Sequence, residues 1–597
     1  MEMLDIVLVS YNSQKWIADC LQSIESVDYP LKNIHLTFVD NSSTDETVKL
    51  LNEYPNKNLF GSFAVHALDR NVGFGPANNI GVKITCQPYV LFLNIDTELT
   101  PNSLAELMKV VKSSQQDVAL WELRQFPYEH PKLYDPLTME TSWSSAAACL
   151  VRRDYFLEVG MFDENIFMYA EDVDLSWRFR ANGYKNLYVP QSVVYHYTYQ
   201  NAGEVKPNQF YNSTFNNLML RYKFGTVKDI IAGYTLFLSL FGIQGPSPDH
   251  KKILRKNIIK SFKRGMRFRR WFKKNRQKNF VPNFRGWDYE LIRDGAFYEN
   301  KLAKQEPLVS IIVRTCGRPS VLKETLLSLN NQTYKNIEIV IVEDGPDVSR
   351  CMIEQEFSHL NIVYQATTEN VGRCKAGNMA LELASGDFFN ILDDDDLFYA
   401  DHIEVLVTSV VENPKYKAAY SIAFETPIEV TSVNPDYQYK ELFHNVVYRE
   451  KFNRLVLLHH NYFPIQTVLF SRDIYDELGG FDESLEVLED WDLWLRYALK
   501  YDFLYTEKLT SIYRVPASPE KTYQRQALFD KYLNIVRQKH FSNNIVLSVE
   551  EIFKDIEAIL TRPQPIIYRV REMTPKEFVF KAKNKIYTKM KSLLTNR

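Results

Sequence analysis

Continuous apolar runs alternate along the chain with segments whose apolar residues recur at helical spacing. Ile6–Val9, Leu36–Val39, Ser310–Val313 and Glu338–Val342 read as buried strands. Ile17–Ile24 and Val321–Leu329 carry the 3.6-residue period of helices that cover a sheet. Strand and helix in alternation predict an α/β fold with a mostly parallel sheet covered on both faces. Such sheets hold ligands at the carboxyl ends of their strands. The polar residues that close these apolar runs are therefore the ones to follow: Asp40, Asp96, Asp344 and Asp393 to Asp396.

The pattern occurs twice. "LDIVLVSYNSQKWIADCLQSI" from Leu4 is echoed by "VSIIVRTCGRPSVLKETLLSL" from Val309, and "NIHLTFVDNSS" by "NIEIVIVEDGP". "RNVGFGPANNIGV" is echoed by "ENVGRCKAGNMAL", "RRDYFLEVGMFDE" by "SRDIYDELGGFDE", and "YAEDVDLSWR" by "VLEDWDLWLR". The order is kept at offsets of 299 to 319 residues, the mark of a duplicated domain and not of a short-repeat solenoid. The expected division is one domain over 1–225, an apolar and basic linker over 226–306, a second domain over 307–540 and a tail over 541–597.

Charge sharpens this division. The 597 residues carry a net charge of −3, but residues 251–278 hold 14 Lys/Arg and no acid, and 576–597 hold seven Lys/Arg against one Glu. The remainder, with 50 basic and 73 acidic residues, is an acidic body of −23. Six cysteines stand without CxxC or metal-ligand spacing and read as buried free thiols. The amino terminus enters a strand without a basic leader, so no secretory signal is expected. The longest uncharged apolar stretch, 230–245, has 16 residues, short of the ~20 that a spanning helix needs.

Four consecutive carboxylates, Asp393 to Asp396, follow an apolar strand, and Asn94-Ile95-Asp96 closes its counterpart. A divalent cation with oxygen ligands would relieve the repulsion, and Mg2+ or Mn2+ suits carboxylates beside a diphosphate. A solvated acidic turn is the plainer alternative. The Glu-Asp pairs Glu171-Asp172 and Glu489-Asp490 precede residues at helical spacing, which fits acids in a first helical turn. Capping alone would explain one such pair; its recurrence in both copies points to chemistry. The Gly73-Phe74-Gly75 turn lacks the third glycine of a dinucleotide fingerprint, and no P-loop occurs.

These ordered motifs resemble the GT-A fold of family 2 glycosyltransferases over about 450 residues of the chain. They are the opening strand with Ser10-Tyr11-Asn12, the "VDNSS" and "VEDGP" strand ends, the DxD positions and the late Glu-Asp pair. The resemblance implies metal-dependent, inverting transfer from nucleotide sugars, with Mn2+ or Mg2+ as cofactor. It assigns Asp172 and Asp490 as general bases. It assigns the nucleotide to Ser10, Asp40 and Asn94 in one copy and to Thr315, Asp344, Asp393 and Arg514 in the other. The metal falls to Asp96 and His196, and to Asp393 and Asp395. His196 could equally be a packed imidazole. Copy one, with "RNVGFGPANNIGV", "LNID" and "VYHYT", is similar to bacterial rhamnosyltransferases of cell-wall or O-antigen polysaccharide, which implies dTDP-rhamnose as donor and a polyprenyl diphosphate-linked acceptor. In copy two, where many relatives have His after "YR", the chain reads Tyr513-Arg514-Val515-Pro516, and in copy one Asn94 replaces the first Asp of DxD.

Ile253, Leu254, Ile258, Ile259, Phe262, Met266 and Trp271 fall roughly on one face among the fourteen cations, a pattern suited to an anionic leaflet. The tail repeats it with Val579, Ile586, Met590, Leu593 and Leu594. A nucleic-acid partner is not expected, because no RNA-binding motif accompanies the basic stripes. A helix packed between domains is the alternative for the first segment. The sequence thus predicts a cytoplasmic, peripheral membrane, bifunctional glycosyltransferase on the inner face of a bacterial cell membrane. Its rivals are a transferase for UDP-galactose or UDP-glucose, one catalytic copy beside one glycan-binding copy, and a non-enzymatic scaffold.

Overall fold

The computed structural model of the chain describes residues 2–197, 206–275, 280–295, 298–301, 305–433, 436–545 and 547–560. The basic tail 576–597 lies outside the described residues. The chain divides into two compact units, Met1–Lys301 and Leu302–Arg597.

In the first unit the strands are β1 (Leu4–Ser10), β2 (Ile34–Asp40), β3 (Ser62–Ala67), β4 (Tyr89–Asn94), β5 (Thr97–Leu99), β6 (Val118–Phe126), β7 (Ala148–Arg152) and β8 (Lys185–His196). The helices are α1 (Ile17–Glu25), α2 (Thr47–Asn52), α3 (Phe74–Lys83), α4 (Ser103–Ser113), α5 (Arg153–Glu158), α6 (Glu171–Ala181), α7 (Pro207–Phe224), α8 (Val227–Ser239) and α9 (His250–Lys274). The second unit has β9 (Val309–Thr315), β10 (Ile337–Glu343), β11 (Ile362–Ala366), β12 (Phe388–Asp393), β13 (Leu397–Phe398), β14 (Ala418–Ser432), β15 (Gln438–Glu441), β16 (Val468–Ser471) and β17 (Phe503–Pro516). Its helices are α10 (Pro319–Asn330), α11 (Arg350–Glu356), α12 (Arg373–Leu383), α13 (His402–Glu412), α14 (Arg454–His459), α15 (Arg472–Leu478), α16 (Glu489–Ala498), α17 (Pro519–His540) and α18 (Val549–Leu560).

The two sheets share one strand order. The first runs β3-β2-β1-β4-β7-β6-β8-β5, and the second β11-β10-β9-β12-β16-β14-β17-β13, with β15 added beside β14. The half built from β3, β2, β1 and β4 is parallel throughout. Beyond it β7 reverses against β4 and β6, so each sheet is mixed, as expected for two GT-A domains in tandem. The opening strands are buried along their length because helices cover both faces, which is why they read as unbroken apolar runs.

The segment 226–306, set apart as a linker by composition, is largely part of the first unit. Helix α9 packs Leu254 and Phe268 into a core shared with Trp177 of α6 and Phe215 and Leu218 of α7. Gly265 permits that approach: a Cβ there would stand 2.7 Å from the Tyr222 ring. The apolar residues of α9 therefore form two stripes, not one. Leu254 and Phe268 face inward, while Ile259, Phe262 and Met266 are exposed. Among the described residues no helix is long and apolar enough to cross a membrane. Cys20, Cys149 and Cys374 are buried free thiols as expected, but Cys86, Cys316 and Cys351 are exposed.

Candidate active sites

Each sheet carries its polar residues on the strand ends where the sequence put them. At the end of β2, Asp40 accepts hydrogen bonds from Ser10 Oγ (2.9 Å), Ser43 N (2.8 Å) and Ser43 Oγ (2.5 Å). The strand ladders pair Ser10 with Asp40 in one unit and Thr315 with Glu343 in the other. Glu343, not Asp344, is thus the counterpart of Asp40. It accepts from Ser349 N (3.0 Å), Ser349 Oγ (3.1 Å) and Gly317 N (3.3 Å). Asp344 matches Asn41, and both hold the following turn. Val72 N donates to Asn41 Oδ1 (2.8 Å), and Val371 N and Gly372 N donate to Asp344 at 2.6 and 3.1 Å. The turn needs its glycine in each unit, since Gly73 and Gly372 have φ of 96° and 94°.

The first unit gathers Asn94, Asp96 and His196 at the end of β4. His196 Nε2 lies 3.5 Å from Asp96 Oδ1 and 3.3 Å from Asn94 Nδ2, and its Nδ1 is 2.9 Å from Gln125 Oε1. Burial opposes ionisation of Asp96, but the hydrogen bond and charge of His196 hold its carboxyl below the usual range. The buried Oδ1 of Asn94 has no hydrogen-bond partner. An orphaned oxygen beside a carboxylate and an imidazole is a donor set that fits a divalent cation. Among the described residues, however, no group of three or more His, Cys, Asp or Glu is arranged to hold a metal.

The second unit handles its acids differently. Arg314 donates to Asp393 Oδ1 through Nε (2.9 Å) and Nη2 (2.6 Å), and to Glu489 Oε1 through Nη1 (3.1 Å). Arg318 pairs with the buried Asp394, which also accepts from Thr315 Oγ1 (2.7 Å). Burial works against the charge on Asp393, yet the nearby Arg314 and Arg373 hold its carboxyl low. Burial pushes Asp394 up to about 7 and drives Asp396 well above the usual range. The repulsion within the four-acid run is thus relieved by arginines of the chain itself. Asp393 and Asp395 keep side-chain exposures of 31% and 36%, so both still present oxygen outward for a cation.

Arg514 is buried. It donates to Glu324 (2.7 Å) and to Tyr439, and its backbone N–H donates to Asp396 Oδ1 (2.9 Å). By ladder register, Leu397 faces Ile512 where Glu98 faces Tyr195, so Tyr513 stands at the position of His196. Tyr513 OH bonds Glu425 as His196 bonds Gln125.

The Glu-Asp pairs open α6 and α16. Ahead of each, a non-glycine residue is left-handed, Ala170 with φ 70° and Leu488 with φ 62°. Such strain is retained only where the surroundings enforce it. Asp172 accepts from Val173 N (2.8 Å) and Ala146 N (3.4 Å), and Asp490 from Trp491 N (2.8 Å) and Asn461 Nδ2 (2.8 Å). Burial raises Asp172, and burial with the charge of Glu489 pushes Asp490 up to about 7, a poise suited to a general base. Two residues on, Asp174 and Asp492 face the other way. Lys223 of α7 joins Asp174 (2.5 Å) to Asp163 (2.7 Å), and Lys539 of α17 joins Asp492 (2.8 Å) to Asp482 (2.6 Å). Arg178 and Arg496 complete each clamp at 2.8 and 3.0 Å. In the second unit a cavity of about 340 Å3, lined by Val371, Arg373, Glu483, Leu485, Val487 and Leu528, adjoins the Asp344 turn.

Sequence reading missed Glu343, Arg314, Arg318, the lysine clamps, and Lys132, which pairs with the buried Glu122 near Asp172. Counting register from the strand ends gives Glu343, and the exchange of Val9 for Arg314 inside an apolar strand signals the arginine. The clamps had no local signal.

A family model, Glycosyl transferase family 2, matches residues 5–143 and 310–479, more than half of the chain. The chain therefore belongs to glycosyltransferase family 2 and carries two regions of that family. An uncharacterized glycosyltransferase of Rickettsia typhi is 30% identical over 196 residues, which are 32% of this chain and 58% of that protein. The chain thus spans a little over half the length of that relative. An uncharacterized glycosyltransferase of Bacillus subtilis is 27% identical over 242 residues, 39% of this chain and 84% of its own. Among solved structures, Staphylococcus aureus TarS aligns with a TM-score of 0.30 at 18% identity, over 39% of this chain and 43% of TarS. The Pyrobaculum calidifontis mannosyltransferase PcManGT, solved with GDP-Man and Mn2+, aligns with a TM-score of 0.31 at 12% identity, over 47% and 86%.

Proposed function

We propose that the chain is a bifunctional, inverting glycosyltransferase with one active site in each unit. The observation that supports this is the repeated Glu-Asp pair at the start of α6 and α16, its Glu buried and its Asp part-buried, preceded in each unit by a left-handed residue. Asp172 and Asp490 take the proton of an acceptor hydroxyl as it attacks C1 of the sugar from the side opposite the nucleoside diphosphate. Asp40 and Glu343 orient the base or ribose, with Ser10 and Thr315 beside them; Asp344 fixes the turn over which the donor lies. A divalent cation, Mn2+ or Mg2+, held by Asp96, Asn94 and His196 in one unit and by Asp395 and Asp393 in the other, would supply positive charge to the leaving diphosphate. In the second unit Arg314, Arg318 and the unpartnered Nε of Arg514 add fixed positive charge to the same region.

The donor in this reading is dTDP-rhamnose and the acceptor a polyprenyl diphosphate-linked cell-surface glycan, met on the inner face of a bacterial cell membrane. The two sites make two linkages in turn. The test is nucleoside diphosphate release from dTDP-rhamnose, UDP-galactose and UDP-glucose with a lipid-linked acceptor. Release from dTDP-rhamnose above the others is expected. Preference for a UDP sugar overturns the donor, and no release with any donor overturns the transferase reading.

A further inference from the structure

The outward faces of α8 and α9 form one apolar strip. On α8, Ile231, Tyr234 and Leu238 recur at three- and four-residue spacing, on a side of the helix away from the buried Gly233 and Phe237. On α9, Ile259, Phe262 and Met266 form a second row, displaced from the buried Leu254, Ser261, Gly265 and Phe268. The rows meet where the Tyr234 and Phe262 rings stack with centroids 5.4 Å apart, and Tyr234 OH lies 2.8 Å from Ser261 Oγ. Ile231, Leu238, Ile259, Phe262 and Met266 are 57–70% exposed, so the internal packing of the unit does not account for them.

The surroundings of the strip are cationic. Helix α9 carries twelve Lys/Arg and no acid, and Lys252, Arg255, Lys263 and Arg270 are exposed on the same side as its outward row. An apolar ridge flanked by cations matches a bilayer with anionic headgroups, where the ridge enters the acyl boundary and the cations meet phosphates. A nucleic acid would use the cations but would leave an exposed aliphatic row unpaired.

We infer that the α8–α9 hairpin docks the first unit flat on an anionic phospholipid surface, with Ile259, Phe262 and Met266 inserted. This deepens the proposed function, since it rests on the acceptor being carried by lipid. The experiment is sedimentation of the full chain with vesicles of phosphatidylglycerol and phosphatidylcholine, and with phosphatidylcholine alone. Nucleoside diphosphate release is measured in parallel on a soluble acceptor. Binding only to the anionic vesicles is expected, weakened severalfold by raised salt. Ile259→Asn/Met266→Asn, two exposed positions outside the core, should lower the vesicle partition about tenfold or more and leave soluble release unchanged. Unchanged binding by this variant, equal binding to neutral vesicles, or capture of single-stranded RNA in place of vesicles overturns the inference. Vesicle binding without nucleotide release supports the surface while removing the transferase reading; release without vesicle binding does the reverse.

Discussion

Arg314 faces Asp393 across the β9–β12 ladder at the register where Val9 faces Asn94 across β1–β4. The duplication has exchanged a neutral pair for an ion pair at one place, and the surroundings follow. Glu489 accepts a hydrogen bond from Arg314, whereas burial and the charge of Asp172 drive Glu171 well above the usual carboxylate range. Each unit is balanced by its own device: a guanidinium in the second, a neutral amide and a retained proton in the first.

This balance is testable by exchanging the devices. Arg314→Val alone leaves the buried Glu489 and the part-buried Asp393 without that cation and should destabilise the second unit by ~2 kcal/mol. Adding Asp393→Asn recreates the pair of the first unit and should recover most of that loss. Denaturant unfolding of the two single variants and the double variant measures the coupling. Additive losses would mean that the two residues do not act as a pair.

The Asp490 carboxyl, pushed up to about 7 by burial and then by Glu489, should give the second unit's product an ascending pH limb centred near 7. Its folded-state pKa lies above the unfolded value. Its contribution to stability is therefore full below the unfolded pKa and lost as pH rises through about 7. The limb is read from the wild-type pH–rate profile, and Asp490→Asn should abolish the stability dependence, read from melting temperature against pH.

Lys223 is nearly buried between Asp163 and Asp174, whereas the Lys539 side chain is 35% exposed and shares Asp492 with His540 and Arg496. Lys223→Met should cost ~3 kcal/mol and Lys539→Met only ~1 kcal/mol. Calorimetric unfolding of the two variants compares them directly. Equal losses would contradict the burial argument.

His196 and Asp96 should make the first unit's product depend steeply on the divalent ion. Asp96→Asn should lower that product by a hundredfold or so, and His196→Gln should raise the Mn2+ concentration needed for half-maximal rate. Titration of Mn2+ against product formation reads both.

Much of this architecture is legible in the sequence, because unbroken apolar strands and polar strand ends are local signals. Leu4–Ser10 and Val309–Thr315 announce themselves as buried parallel strands, and the Glu-Asp pairs announce helix starts. What is not legible depends on register or on distant partners. Glu343 takes the place of Asp40 only once β9 and β10 are aligned. Lys223 and Asp163 are 60 residues apart, with no periodicity to connect them. A helical projection sets Leu254 and Phe268 apart from Ile259 and Met266, but only the packing against α7 decides which of the two stripes faces inward.

The most direct measurement is product analysis with wild type, Asp172→Asn and Asp490→Asn, using sugar nucleotide, divalent ion and lipid-linked acceptor. Two active sites predict that each substitution removes a different linkage and leaves the other. Loss of all product through one substitution, with the other silent, would contradict the account and leave one unit as a binding module.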